Sequence, residues 1–316
     1  MRIALAGDTM LGRGVAETLE ADPPAPLFDP PVAEICREAD FCVLNLECCI
    51  SNRGERQAYP HKPFHFRAPP VALDVLTELG VDCVNLANNH ALDFGCDALL
   101  DTFEHLRSAG IQWVGAGSDV GAARAPTVLK KGASCLVVLG ASDHVADFAA
   151  GPDQPGIALA ELGGKVSPWL LAAIEDHRRD PVLVSPHWGP NMNPEPLPCI
   201  RAAADAMVAA GAALVAGHSA HLFHGVKPPI LYDLGDFIDD YAVDPQLRND
   251  LGLLFVVTLI SRRITQIEAV PLRLDYCHTS LAAGNDAEWI GRRFSLACEK
   301  LGTSVESDQD RLIIQV

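Results

Sequence analysis

No stretch of the chain reaches the roughly 18 consecutive apolar residues of a membrane-spanning helix, so helical insertion in a bilayer is not expected. Basic residues are in deficit: 24 Lys and Arg face 41 Asp and Glu, for a formal net charge of −17. A chain of that sign repels a nucleic-acid backbone and an anionic membrane surface, so neither is expected as the main partner. The ten cysteines include no C-x-x-C pair, which leaves no such thiolate motif to hold a metal or a redox couple. Most of them fall in apolar segments, where a free thiol packs as a small hydrophobe, and Cys48 and Cys49 are read the same way. Residues 1–8 lack the basic region, the long apolar core and the cleavage site of a secretory leader. The expectation is a soluble, cytoplasmic protein. No internal repeat and no domain-separating linker is visible, and 316 residues at 49% hydrophobic can bury a sizeable core. One domain over 1–316 is expected. Its motifs lie in 1–241, and 242–316 supply a hairpin, a helix and a strand that complete it.

What the chain does have is a series of short apolar runs, each stopping at polar residues. Residues 2–7 run into Asp8, 41–44 into Asn45-Leu46-Glu47, and 81–86 into Asn88-Asn89-His90. Residues 181–185 run into Pro186-His187, and 212–215 into Gly217-His218-Ser219-Ala220-His221. Segments with helical spacing lie between these runs: 11–20, 32–38, 71–79, 96–108, 165–178 and 198–210. In 96–108, Leu99, Leu100, Phe103 and Leu106 share one face. Strand and helix in alternation predict an α/β fold with parallel strands. Residues 126–130 and 134–140 read as a hairpin, as do 253–260 and 265–274; a helix is predicted at 286–301 and a last strand at 311–316. Three loops stand out: 22–31 with five prolines, the long polar stretch 51–70, and 141–156, whose glycines and prolines fit a mobile lid.

Several residues carry chemistry. Asp8 either caps the following helix or ligates a metal at the strand's carboxyl end. Arg13, one turn on, is a candidate for an anionic substrate. His65 and Arg67 either line a pocket for a negative group or belong to a small strand with His65 in water. His144 could reach the site from its loop. A turn made by Asn88 and Asn89 needs no histidine after it, so His90, with Asp93 three residues on to orient it, reads as functional. Collected, Asp8, Glu47, Asn89, His90, His187, His218 and His221 form a hard-to-borderline set without thiolate, suited to Mn²⁺, Fe²⁺ or Zn²⁺. That is more than one tetrahedral zinc needs, so one or two divalent ions are expected. Two-metal sites clamp both oxygens of an in-line displacement at phosphorus.

Gly7-Asp8-Thr9-Met10-Leu11, Asn45-Leu46-Glu47, residues 87–93, Gly115-Ala116-Gly117, His187-Trp188-Gly189 and Gly217–His221 occur together in an order and spacing that resembles the CapA family of poly-γ-glutamate capsule biosynthesis proteins. The resemblance covers residues 2–241 or more. It is similar in fold to the calcineurin-like metallophosphatases, which implies a four-layer α-β-β-α sandwich of two mixed sheets. It also implies roles: Asp8 and His221 on a first metal, Glu47 as the bridge, Asn89, His187 and His218 on a second, and His90 as acid or transition-state stabiliser. The implied function is a metal-dependent hydrolase acting on a phosphoester or an amide. The alternative is a non-catalytic accessory protein of capsule or envelope polymer synthesis. An anionic small molecule or polymer is the implied partner. Three departures matter. Met10 stands where the metallophosphatase pattern has a histidine. Glu47 replaces a shorter aspartate. Asp236 stands where nearby members tend to have asparagine, and it either replaces the lost ligand or orients His221.

Overall fold

The alternation of side chains along each strand sorts the core into three apolar layers. A computed structural model describes residues 1–21, 25–58 and 62–316. In the first strand, Arg2–Thr9, Ile3 and Leu5 point to one face while Ala4 and Ala6 point to the other. The next strand, Phe41–Leu46, does the same, with Phe41 and Val43 opposed to Cys42 and Leu44. Ile3, Leu5, Phe41 and Val43 meet Leu136, Val138, Leu183 and Leu214 of a second sheet in the central layer. On the far side of the first sheet, Val15, Leu19, Leu76, Leu99, Phe103 and Leu106 cover it from helices. On the far side of the second, Leu170, Ile174, Ile200, Ala204 and Met207 do so. Helices, sheet, sheet and helices are thus stacked with both sheets buried on two faces, as near-continuous apolar strands require.

The first sheet runs, from its centre outward, through Arg2–Thr9, Phe41–Leu46, Cys83–Asn85 and Gln112–Val114, all parallel. On its other side Arg2–Leu5 pairs antiparallel with Leu251–Ile260, which forms the long hairpin with Arg263–Asp275. The C-terminal region therefore shares a sheet with the N-terminal strand. The second sheet carries Ser134–Ser142, Val182–His187, Leu214–Ala216 and Ile230–Leu231 in parallel, with antiparallel edges. Every parallel strand ends on the same side of its sheet, and both sheets deliver their polar ends to one rim.

Several boundaries differ from the sequence reading. The helix expected at 32–38 begins at Pro30, because Pro30 and Pro31 occupy its first turn, where a missing N–H costs nothing. The proline-rich loop is correspondingly shorter, and its residues 22–24 lie outside the described residues. The helix expected at 165–178 begins later, at Pro168, for the same reason. The 141–156 loop is packed down: Phe148 is fully buried in the first apolar layer, and Ala149 bridges to Ile157. In the 51–70 loop, of which residues 59–61 lie outside the described residues, Arg67–Ala68 pairs with Cys49–Ile50, and residues 64–66 form no strand. A short strand unforeseen in the sequence, Asp236–Ile238, lies parallel to the end of the first strand. All ten cysteines are free thiols. No helix among the described residues is long and apolar enough to cross a membrane.

Candidate metal centre

Asp8 lies within the first strand, and Gly12, not Asp8, precedes the helix Arg13–Glu20. The cap reading is thereby removed. The backbone at Asp8 is drawn close to a neighbouring segment, its N–H donating to Gly235 O at 2.8 Å. A side chain on Gly7 would strike that same carbonyl at 1.8 Å, so glycine is needed there. Asp8 Oδ1 accepts from Asn45 Nδ2 at 2.8 Å and lies 3.3 Å from His218 Nδ1; Oδ2 lies 3.5 Å from His221 Nδ1. His221 Nδ1 also meets Asp236 Oδ1 at 2.8 Å. On the other side Glu47 Oε1 meets His187 Nε2 at 2.8 Å. His187 ends its strand and bridges to His218, two residues past the end of the adjacent strand Leu214–Ala216, while His218 Nε2 meets Ser185 Oγ at 3.0 Å.

The turn that carries His218 and His221 is strained. Ser219 has φ 113° and His221 φ 58°, conformations that L residues rarely adopt. Strain of this kind costs of order 1–3 kcal/mol per residue and gathers where function demands a geometry.

Two groups emerge. Asp8, His221 and Asp236 form one, and Asp8, Glu47 and His187 the other, each with its ligand atoms within 4.8 Å of one another. Asp8 is common to both, whereas the family resemblance puts the shared carboxylate at Glu47. Glu47 Oε2, His187 Nδ1, Asp236 Oδ2 and Asn89 Oδ1 are buried without a hydrogen-bond partner. Met10 does not contribute: it is buried, and its sulfur accepts from Gly12 N–H at 3.1 Å.

The charges respond to this crowding. Burial works to raise Asp8, but His218, His221 and His187 hold it well below the usual carboxylate range. Burial, reinforced by the Asp8 charge, pushes Glu47 well up. Burial pushes Asp236 up to about 6 against the pull of His221. Burial alone would lower His221, but Asp236, Glu47 and Asp8 raise it well above its ordinary value. Burial, then the neighbouring His144, lowers His187.

His90 stands beside this centre with a support of its own. Its Nδ1 meets Asp93 Oδ2 at 2.7 Å, its backbone N–H donates to Asn88 Oδ1 at 3.0 Å, and Phe66 stacks on its ring at 4.0 Å. Lys62 Nζ lies 3.0 Å from Asp93 Oδ1 and 3.3 Å from His90 Nδ1. Burial, then the Lys62 charge, lowers His90 well below its ordinary value; burial pushes Asp93 up to about 6 in spite of Lys62. Lys62 escapes a reading of the sequence, because a single lysine in a long polar loop carries no local signal.

The four residues expected to meet an anionic substrate divide. Arg13 pairs with Asp240 at 3.1 Å and lies over the ring of Phe66, the residue that stacks on His90. The His144 ring is 4.9 Å from that of His187. His65 and Arg67 make their hydrogen bonds inside the loop. His65 meets Gln57 O and Arg56 Nε, and Arg67 donates to Arg53 O and Gly54 O. Among the described residues neither makes a hydrogen bond to the rim, though His65 is near enough to act electrostatically on His90 and Asp93.

Comparison with known proteins bears on this arrangement. Residues 2–241 match the family model described as "Bacterial capsule synthesis protein PGA_cap". A "Probable polyglutamine synthesis accessory protein" of Mycobacterium tuberculosis (strain ATCC 25618 / H37Rv) is 32% identical over 296 residues, covering 87% of this chain and 76% of the relative. The "PGA biosynthesis protein CapA" of Bacillus subtilis (strain 168) is 28% identical over 244 residues, 75% of this chain and 63% of the relative. Among solved structures, a hypothetical protein from Thermus thermophilus superposes with TM-score 0.51 at 15% identity, over 86% of this chain and 99% of that one, a likeness of fold alone. With its family match spanning most of the chain, this protein belongs to the bacterial capsule synthesis protein PGA_cap family.

Proposed function

We propose that this chain is a divalent-metal-dependent hydrolase of poly-glutamate or envelope-polymer synthesis, acting on an anionic phosphoester. The observation that carries the reading is the pair of carboxylate–histidine groups sharing Asp8, with buried atoms of Glu47, His187 and Asp236 left unpartnered around it. Each unpartnered buried polar atom costs about 1–3 kcal/mol, and a cation among them would relieve several at once. Asp8, Glu47, Asn89, His187, His218 and His221 are the residues that would hold one or two ions. Oxygen and imidazole donors without thiolate suit Mn²⁺, Fe²⁺ or Zn²⁺. Such ions, when bound, supply Lewis acidity toward a phosphoryl oxygen and toward water.

The chain's own residues supply the rest. His90 exchanges a proton with the leaving group, its ring held by Asp93 on one edge and Phe66 on one face. Asp93 is itself anchored by Lys62, so the imidazole has a fixed orientation before substrate arrives. Arg13, over the Phe66 ring, and His144, beside His187, are placed to meet the substrate's negative charge.

A second reading is favoured by Met10 and by the name of the mycobacterial relative: a non-catalytic accessory protein that binds an anionic polymer. The two readings separate on His90. In the hydrolase, His90→Ala lowers turnover of a chromogenic phosphodiester or phosphomonoester by about 10²–10⁴-fold and leaves metal content unchanged. Wild-type protein carrying metal but turning over no phosphoester would leave the accessory reading standing. Loss of metal together with activity would make His90 a ligand.

A further inference from the structure

We propose that Asp236 is a metal ligand, which with Asp8 and His221 completes the half of the centre that Met10 leaves without its histidine. The inference rests on the metal reading above and specifies which residues build the first of its two halves.

The sheet register makes the substitution possible. A ligand at position 10 would stand two residues past Asp8, just beyond the end of the strand Arg2–Thr9. That position is lost, because the Met10 side chain is packed in the helix-side apolar layer with its sulfur bound to Gly12 N–H. Asp236 is directly beside Asp8 on the adjacent parallel strand. Neighbouring residues in register project to the same side of a sheet, and the ligand atoms of Asp236, Asp8 and His221 accordingly lie within 4.8 Å of one another. Gly235 makes this approach possible. It has φ +76°, and its carbonyl takes the Asp8 N–H at 2.8 Å.

The side chains agree. Two buried carboxylates paired across strands repel one another unless a cation lies between them or near them. Asp8 is 1% and Asp236 3% exposed, so water does not do this work, and within the chain it falls to the single imidazole of His221. His221 Nδ1 is faced by both, at 3.5 and 2.8 Å, and one imidazole proton can satisfy only one of these oxygens. Asp236 Oδ2 is then left buried with no basic or amide donor among the described residues, and the neighbouring carboxyl of Asp239 adds a third acid beside it. A residue whose task was to orient His221 would need one accepting oxygen and no second, unpartnered one. Asparagine would serve as well and without the repulsion. Two carboxylates and one imidazole make a hard donor set, which favours Mn²⁺ or Fe²⁺ over a thiophilic ion.

The orienting and ligating roles separate on two variants. Asp236→Asn keeps an oxygen that can accept from His221 but loses the charge; Asp236→Ala loses both. Tag-free protein, dialysed against chelator and reloaded with Mn²⁺, would be analysed for metal per chain by mass spectrometry and for affinity by calorimetry. Glu47→Gln serves as the reference for the other half. If Asp236 ligates, both Asp236 variants weaken one Mn²⁺ site by at least about tenfold, while Glu47→Gln perturbs a different one. If Asp236→Asn binds as wild type does, the inference is overturned and the metal reading survives. If wild-type protein takes up no Mn²⁺, Fe²⁺ or Zn²⁺, the metal reading fails and this inference with it. Should the variants fail to fold, anomalous diffraction from wild-type crystals grown with Mn²⁺ decides. A peak bonded to Asp236 supports the inference, and bound Mn²⁺ without such a bond overturns it.

Discussion

Two buried polar clusters of this molecule invite comparison. The first is the rim around Asp8. The second joins residues 50–53 to the helix Gly95–Ser108. In the second cluster each group finds a partner. Thr102 Oγ1 accepts from Ile50 N–H at 2.8 Å and donates to Ala98 O at 2.7 Å. Ser51 Oγ donates to Asp101 Oδ2 at 2.6 Å, and Arg53 closes both Asp101 oxygens with Nε and Nη2. No side-chain atom of Ser51, Asp101 or Thr102 is left buried and unpartnered among the described residues. At the rim, by contrast, Glu47, His187, Asp236 and Asn89 each keep such an atom. A folded chain can satisfy its own polar groups where their only task is to hold a loop. Where it does not, in a centre lined with carboxylates and imidazoles, the unpartnered atoms are what the proposed cation would satisfy.

The comparison is sharpened most by removing the carboxylate common to both halves of the rim. Metal at about a thousand times its dissociation constant stabilises a protein that binds it only when folded by about 4 kcal/mol. Wild-type protein is expected to show a gain of this order with saturating Mn²⁺, read as a rise in Tm or in the urea midpoint. Asp8→Asn is expected to lose nearly all of it, since Asp8 belongs to both groups. An undiminished gain in Asp8→Asn would mean that the ions bind elsewhere, and the contrast between the clusters would lose its meaning.

The opposite behaviour is expected of the second cluster. Thr102→Val keeps the shape of a fully buried side chain but leaves the Ile50 N–H without an acceptor. The cost is about 1–3 kcal/mol in urea unfolding, with the Mn²⁺-dependent gain unchanged. A loss of metal response in Thr102→Val would show that the clusters are coupled, and that the loop after Glu47 belongs functionally to the rim.

Much of the rim is legible in the sequence because strand ends are marked twice, by the apolar run that stops and by the glycine or polar residue that follows. Asp8, Glu47, His187 and His218 are all marked in that way. The α/β character with parallel strands follows from the same alternation of apolar runs and helical spacing, whereas the four-layer stacking is legible only through the family resemblance. Asp236 is harder. Its strand, Asp236–Ile238, is three residues long and has no period to detect; what makes it a strand is its pairing with Asp8 and Thr9, more than 220 residues away. Lys62 and Phe66 are hidden for a similar reason. They sit in a loop whose course is set by Asp93, which takes Phe66 N–H at 2.7 Å, and by the buried pair with Lys62. The helix at Pro30 reads short in the sequence because prolines signal loops, whereas the first turn of a helix accepts them. The packed course of residues 141–156 depends on the burial of Phe148, a tertiary contact with no sequence period.

The smallest expected effect concerns acid stability, and it tests whether the second cluster is structural in the plain sense. The hydrogen bond from Arg53, followed by that from Ser51 and by the Arg53 charge, holds Asp101 down to about 2 against burial. An unfolded aspartate titrates near 3.9. A carboxylate depressed by folding contributes stability that is fully present above the unfolded value and is lost as pH falls through the folded one. The contribution of Asp101 is therefore intact above about pH 4 and disappears toward pH 2. It is a modest one, because the Arg53 side chain is 65% exposed and water screens the pair. Urea midpoints of wild type and Asp101→Asn, measured at pH 6 and at steps down to pH 2.5 in the presence of chelator, should differ most at pH 6 and converge as the acid is approached. The chelator removes any metal-dependent contribution from both proteins, so that convergence reports on Asp101. A gap that widened with acid would mean that the charge on Asp101 is a cost to the fold, and the cluster would then share the rim's character instead of opposing it.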